Sequence, residues 1–316
     1  MSKQDTSRKD GNGAKRKDAK NAAQDEYALF PCDVCGSTQT IELPRVREYT
    51  GGQVLHICKK CGLIYANKRR SYERIADAWS NELFGDPKIL SAHNYSAKNP
   101  HVKARQTYFL EFLDVHLGLK GKDVCDIGAG EGPFLDMVRA AGGKVFGIEP
   151  SKKNDLLLST LKIPHFVGTV EEYGDHAKKT KDPYRADIVT MIFTLECSQS
   201  PRKMLEIAHR TLKDGGSVSI ETGSRILVPF KKPLHTFLST TPVDTHPIDF
   251  SFNTLKALLS QVGFEVTHVN PYIENDLLCV IAKKVSDGRK IAWHGDDYMK
   301  VVDFFERWHT ESLHYR

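Results

Sequence analysis

The stretch Val124 to Leu135, VCDIGAGEGPFL, constrains this chain more than any other. The apolar pair Val124-Cys125 leads into Asp126-Ile127-Gly128-Ala129-Gly130-Glu131-Gly132, and a helical pattern follows from Phe134. The order predicts strand, tight turn, helix. Closely spaced glycines let the backbone take positive φ and come close to a ligand. The helix N-terminus behind them presents free N–H groups and a partial positive charge. Spacing then selects among ligands. The dinucleotide fingerprint is G-x-G-x-x-G. Counted from Gly128 and Gly130, its third glycine would fall on Pro133. Here the third is Gly132, and Asp126 stands two residues before the first. A carboxylate there repels a pyrophosphate and suits a ligand carrying an ammonium group. The next strand, Lys144-Val145-Phe146-Gly147-Ile148, ends at Glu149, where an acid holds ribose hydroxyls.

DIGAGEG and the acid Glu149 resemble the first two motifs of the class I S-adenosylmethionine-dependent methyltransferases, and the resemblance runs in order to about Lys284. LKDGGSVSIET resembles that family's fifth motif, in which a Leu-Lys-x-Gly-Gly turn feeds the fifth strand. The resemblance implies an α/β fold with a Rossmann-like seven-stranded sheet, its last strand antiparallel. It implies S-adenosylmethionine as cofactor. Asp126 and the turn of Gly128, Ala129 and Gly130 would hold the amino-acid part, and Glu149 the ribose. Thr169 and Val170 would bracket the adenine, Phe193 would line the pocket, and Phe134 and Pro150 complete the cofactor set. An aromatic before the first strand caps the cofactor in similar proteins. Tyr95 is the candidate, with packing between domains as its other reading.

The N-terminal region carries a second strong pattern. Cys32-x-x-Cys35-Gly36 and Cys58-x-x-Cys61-Gly62 are separated by 22 residues. Two such knuckles suit tetrahedral zinc. Four thiolates close the coordination shell, so the site is expected to be structural. Thr40–Leu43 and Val54–Ile57 read as ribbon strands around a Gly51-Gly52 turn, with His56 a ribbon side chain. Arg45, Arg47, Lys59, Lys60, Lys68, Arg69 and Arg70, with Tyr49 and Tyr65, are compatible with phosphate contacts. A packing or substrate-side module is the preferred reading.

Composition limits the rest. At 316 residues there is room for one large domain or two smaller ones, and 40% apolar content supports a core. Lys+Arg 45 against Asp+Glu 40 gives +5, which does not by itself argue for nucleic acid. No apolar run approaches the ~20 residues of a membrane helix, and the polar start lacks an apolar signal core. A cytoplasmic location is expected, where seven cysteines read as metal ligands or free thiols. Residues 1–26 have almost nothing to bury and read as a solvated basic tail.

Along the core, strand and helix alternate. Ser71–Gly85 and His101–Leu117 read as helices before the sheet. Phe134–Ala141 and Asp155–Leu161 are helices, Pro164–Val167 a short strand, and Asp187–Ile192 a central strand that is apolar after its first residue. Its end, with Glu196 and Cys197, is where an acceptor would sit. Asp214-Gly215-Gly216 is expected to turn into strand Ser217–Thr222. A helix through Ser260 and strands Phe264–Val269 and Leu277–Lys283 follow. Residues 225–250 interrupt the alternation. Thr245-His246-Pro247-Ile248-Asp249-Phe250-Ser251 resembles the E-H-x-x-x-F-S stretch of zinc-ribbon methyltransferases acting on nucleotide sugars, with His246, Phe250 and Ser251 matching. His246 is the candidate general base, its other reading a bond to a loop carbonyl. His235 is a second loop histidine, and Asp249 would orient a histidine or bind substrate. The amphipathic tail Trp293–Trp308 is expected to cover its own domain.

The domain plan is a tail (1–26), a zinc ribbon (27–70), a helical linker and cap (71–120), a methyltransferase core (121–285, with 225–250 as an acceptor-side insertion) and a C-terminal helix (286–316). The expected function is methyl transfer to a sugar, nucleotide sugar or related small polar acceptor. Nucleotide-sugar C-methyltransferases have a further C-terminal domain that this length cannot hold, so oxygen, nitrogen and carbon all stay open as the methylated atom. The alternatives are an RNA methyltransferase gripping RNA through the ribbon, and a non-catalytic cofactor-binding scaffold. No Asn-Pro-Pro-Tyr-like tetrad follows the fourth strand, which argues against methylating base amino groups.

Overall fold

Each Cys-x-x-Cys-Gly segment folds into the same turn. Gly36 N–H donates to Cys32 O (2.8 Å) and Gly62 N–H to Cys58 O (2.9 Å), with both glycines at φ +71°. Residues with a Cβ are penalised there. The computed structural model describes residues 27–50, 54–70, 99–181, 183–223, 232–240, 246–270 and 277–315. The tail 1–26, the Gly51-Gly52 turn, the expected helix Ser71–Gly85, Tyr95 and Thr245 lie outside them.

Around the knuckles run β1 (Tyr27–Leu29), β2 (Thr40–Glu42), α1 (Val46–Tyr49), β3 (His56–Cys58), β4 (Ile64–Tyr65) and β5 (Lys68–Arg70). β2, β3 and β4 pair antiparallel, and β1 pairs with β5. Helix α2 (Pro100–Leu117) leads to the main sheet. Asn99 starts it by accepting His101 N–H at 3.0 Å, with Pro100 at a position that needs no N–H.

The alternation then unfolds as β6 (Asp123–Ile127), α3 (Pro133–Ala140), β7 (Lys144–Glu149), α4 (Lys152–Thr160), β8 (His165–Val167), α5 (Val170–Lys179) and β9 (Ala186–Ile192). After a short turn of helix at Leu195–Cys197 come α6 (Pro201–Thr211), β10 (Leu212–Gly223), α7 (Leu234–Thr240) and β11 (Ile248–Asp249). The remainder is α8 (Phe252–Gln261), β12 (Phe264–Val269), β13 (Leu277–Lys284) and α9 (Tyr298–Ser312). The main sheet has seven strands in the order β12-β13-β10-β9-β6-β7-β8. β13 is antiparallel to both neighbours, and the strands from β10 to β8 are parallel. This is the expected Rossmann-like α/β methyltransferase fold. Leu205, Ile207, Leu255 and Leu258 bury one face against Val189, Val218 and Ile220. Phe109, Leu113, Phe134 and Val138 bury the other against Ile188, Cys279 and Ile281. No helix among the described residues is long and apolar enough to cross a membrane.

Two expectations give way. Asp214-Gly215-Gly216 does not precede the fifth strand but lies within β10. Leu212 pairs with Ala186 and Ser217 with Ile188, so the intervening residues bulge. Gly215 at φ +77° lets the chain bulge without leaving the sheet. The tail helix starts at Tyr298, capped by Asp297, rather than at Trp293, which packs on the main core instead.

That helix does not cover the methyltransferase sheet. Val301, Phe305 and Trp308 close a second hydrophobic core with Leu43, Val46, Leu55, Ile57 and Ile64 of the ribbon and with Leu234 and Leu238 of α7. Trp308 Nε1–H donates to Lys232 O at 3.1 Å, and Leu234 N–H to Ser312 Oγ at 3.0 Å. β11 pairs with β4, Ile248 opposite Tyr65, and Ala66 N–H donates to Pro247 O at 2.7 Å. The insertion thereby completes a four-stranded sheet, β11-β4-β3-β2, begun by the ribbon.

Candidate functional site

The glycine turn leaves β6 at the carboxyl end of the sheet. Gly128, Gly130 and Gly132 take φ of +82°, +55° and +88°. A Cβ on Gly128 would collide with the side chain of Thr194, and one on Gly132 would meet Leu158, so these two glycines answer to packing. A Cβ on Gly130 would meet nothing within 4 Å. That open face is a cradle beside Glu149. Glu149 accepts Gly130 N–H at 2.8 Å, Ser151 N–H at 2.9 Å and Asn154 Nδ2–H at 3.2 Å. A carboxylate has about four acceptor positions, so one stays available to a ribose hydroxyl. Burial raises the Glu149 pKa, and these three bonds oppose the rise.

Gly128, Gly130, Glu149, Pro150, Thr169, Val170, Phe193 and Cys197 line one open cleft, joined by Ser198, Gln199 and Met204. Thr169 is held by a capping box: its hydroxyl accepts Glu172 N–H at 3.2 Å and its own N–H reaches Glu172 Oε2 at 2.6 Å. Asp126, Ala129 and Phe134 of the expected set are not among the lining residues. Phe134 is 2% exposed and packs on Phe109 at 5.6 Å between ring centroids, because the first helical residues turn toward α2. Asp126 is 2% exposed and accepts the Thr190 hydroxyl at 2.7 Å, which ties β6 to β9 below the turn. Burial pushes its pKa up to about 7. The donor set and the open cradle fit an adenosine-bearing cofactor.

The end of β9 is strained. Phe193 takes φ +51°, a left-handed conformation that costs a non-glycine residue about 1–2 kcal/mol. Its N–H donates to Glu221 O at 2.8 Å, and the Arg105 guanidinium lies 4.7 Å from its ring centroid. Glu196 is 5% exposed and pushed to about 7 by burial. Burial raises the Cys197 thiol well above its usual range, and its Sγ–H donates to Phe193 O at 3.4 Å in the cleft wall. Glu221, near the carboxyl end of β10, was not singled out from the sequence. The signal was present: like Glu149, it is an acid at the carboxyl end of a buried strand.

His246 keeps solvent contact just before β11, and the protein packed around it lowers its pKa. It is not among the residues lining the cleft. His235 faces the ribbon, 6.1 Å from Tyr49 between rings. Asp249 is half-buried in β11 and acts electrostatically on Glu196.

The four cysteines converge. Their sulfurs all lie within 4.8 Å of one another, with Cys32 to Cys61 at 3.4 Å and Cys35 to Cys58 at 3.5 Å. These are not disulfide distances. A tetrahedral ion with Zn–S near 2.3 Å spaces its sulfurs about 3.8 Å apart, so the cluster fits such an ion. Neighbouring sulfurs push the Cys32 and Cys61 thiols up and draw Cys58 down.

The first knuckle is fastened to the cleft wall. Asp33 accepts Arg69 Nη2–H at 2.9 Å and the Ser200 hydroxyl at 2.7 Å, and Arg202 donates to the carbonyls of Asp33 and Val34. Gln199, in the wall itself, donates to Arg70 O. Other ribbon arginines also turn inward or pair: Arg47 with Glu42 at 2.7 Å, and Arg45 with Glu48 at 3.1 Å.

The family model described as a methyltransferase domain matches residues 101–269. The chain is similar to a ubiquinone biosynthesis O-methyltransferase of Vibrio cholerae, 24% identical over 224 residues, 66% of this chain and 84% of that protein. It is similar to the namesake of Coxiella burnetii, 29% identical over 135 residues, 41% of this chain and 54% of that one. Among solved structures, a Burkholderia thailandensis 1,6-didemethyltoxoflavin-N1-methyltransferase with S-adenosylhomocysteine bound has a TM-score of 0.46 at 16% identity, over 63% of this chain and 86% of that one.

Proposed function

Because the chain belongs to the methyltransferase-domain family, whose chemistry is S-adenosylmethionine-dependent methyl transfer, we propose that its acceptor is a small polar molecule of the sugar or nucleotide-sugar class. The observation that carries this reading is the use the ribbon makes of its arginines. Arg45, Arg47 and Arg69 are engaged by Glu48, Glu42 and Asp33, and Arg69 is 4% exposed. A surface that grips RNA keeps such cations for phosphates. Arg69 is committed to Asp33 inside the ribbon, and Asp33 is tied in turn to Ser200 beside the cleft, which supports a substrate-side module over an RNA clamp.

The cofactor, when bound, supplies an electrophilic methyl on its sulfonium. The chain's own work is to orient the acceptor and take a proton. Gly128 and Gly130 leave room for the amino-acid end, Glu149 receives the ribose, and Thr169 and Val170 flank the adenine. Asp126 acts through its Thr190 bond, by setting the turn, and Ala129 and Phe134 act by packing behind it. His246, kept neutral by its lowered pKa, is the proton acceptor in this reading. Cys32, Cys35, Cys58 and Cys61 hold zinc, which fixes the sheet that carries β11 and so the loop bearing His246. The ribbon, the insertion and α9 then act as one acceptor-side module.

The test is methyl transfer from labelled S-adenosylmethionine to a panel of nucleotide sugars, with bulk RNA alongside. Transfer to a nucleotide sugar and none to RNA is expected. Transfer to RNA alone, weakening steeply with salt, would sink the reading.

A further inference from the structure

Behind the cleft wall an acid and a guanidinium come close without a hydrogen bond between them. Glu221 is fully buried, and neither carboxylate oxygen has a hydrogen-bond partner. It lies opposite Ile192 of β9 and opposite Cys279 of β13. Cys279 belongs to the core on the α2 side of the sheet, which places the Glu221 side chain on that side. Arg105 of α2 comes to the same spot. Its guanidinium covers Phe193, a residue of the cleft wall, and its buried Nε–H is unpartnered. Arg105 draws the Glu221 pKa down electrostatically, yet no hydrogen bond or ion pair joins them among the described residues. Burial outweighs that pull and raises Glu221 to about 8, so it donates as readily as it accepts near neutrality.

Buried polar groups are nearly always paired, and an orphaned buried acid next to a half-buried guanidinium at a cleft wall has the form of a site. An apolar ligand would leave both groups unsatisfied. A carboxylate would meet the acid, and a lone ammonium would leave the guanidinium unpaired. Two neighbouring hydroxyls satisfy both, one donating to Glu221 and one accepting from Arg105.

We propose that Glu221 and Arg105 form the acceptor-anchoring pair and that they select a vicinal diol, an inference resting on the small-polar-acceptor reading above. Such a diol belongs to a sugar ring or to a catechol, and the experiment separates them. The full chain, saturated with S-adenosylhomocysteine, is titrated calorimetrically with UDP-glucose, with catechol and with guaiacol, whose diol is blocked. One of the two diols binds and guaiacol does not. Glu221→Gln and Arg105→Met each weaken that diol by at least about tenfold, the loss expected for one hydrogen bond to a charged group. S-adenosylhomocysteine affinity stays within about twofold of wild type. Equal diol affinity in wild type and both variants overturns the anchoring pair. Binding of neither diol by wild type, with S-adenosylhomocysteine still bound, overturns the acceptor class while leaving the methyltransferase reading intact. Independently of any acceptor, Glu221→Leu removes an orphaned acid and raises Tm by about 2–4 °C. A fall in Tm shows that the acid is already satisfied in the free protein and overturns the open pair.

Discussion

Glu149 and Glu221 occupy corresponding places, each at the carboxyl end of a parallel strand, and they are 4% and 0% exposed. Glu149 accepts three hydrogen bonds from its own chain; Glu221 accepts none on its carboxylate. The Glu149 end is thus furnished with two backbone N–H groups and the Asn154 amide before any ligand arrives. Glu221, behind Phe193, is left without such bonds. A finished site binds its ligand with little reorganisation, whereas an open one binds only a ligand that supplies the missing bonds. The same contrast extends to the supports. Local turns build the cofactor end, and segments distant in sequence build the acceptor end.

The sharpest way to separate the two ends is to remove two of the four converging thiols. A Cys32→Ser, Cys35→Ser protein is expected to lose one equivalent of zinc and, on the order of 10 kcal/mol, the stabilisation of the ribbon module. Its affinity for S-adenosylhomocysteine should change less than about threefold. Full zinc retention in a metal assay would break the ribbon assignment, and loss of cofactor binding would break the independence of the two ends.

Asp33→Ala should cost about 3–5 kcal/mol in denaturant unfolding, since it leaves the Arg69 guanidinium buried and alone. A cost below 1 kcal/mol would mean that the carboxylate's bonds to Arg69 and Ser200 carry little. Gly128→Ala forces a Cβ into Thr194 at φ +82°. It should weaken cofactor binding about 100-fold by calorimetry, equivalent to about 2.7 kcal/mol of misplacement. Affinity equal to wild type would detach the turn from the cofactor.

The remaining effect is one of pH. The Glu221 pKa rises from 4.5 to about 8 in the folded chain. The folded state therefore holds the proton more tightly than the unfolded one, and stability is lost as pH climbs from about 5 to about 8. The groups acting on the acid are Arg105, Glu196 and Cys279. A Glu221→Gln chain should gain on wild type in Tm across that window and level off above it. A Tm difference that does not vary with pH would show that the acid does not titrate there.

What was legible in the sequence was local. The turn after β6 and both knuckles depend on glycines a few residues from their partners, so spacing alone revealed them. Periodicity also found the apolar stripe of Val301, Phe305 and Trp308, but a stripe does not say what covers it. Its cover is the ribbon, more than 200 residues earlier. The strand β11 was missed because two residues give no alternation to read, and it exists only through β4. The left-handed Phe193 and the orphaned Glu221 follow from tertiary packing, which overrides local preference at sites of this kind.

The pairing of β11 with β4 also sets a timetable for biosynthesis. Tyr65 waits for Ile248, 183 residues downstream. At about 5–20 residues per second, that delay is roughly 10–40 s on the ribosome. Through that interval the nascent ribbon has a free strand edge and an apolar face with no cover. Early metal capture by the four thiols would hold the emerging segment in register until its distant partners are made.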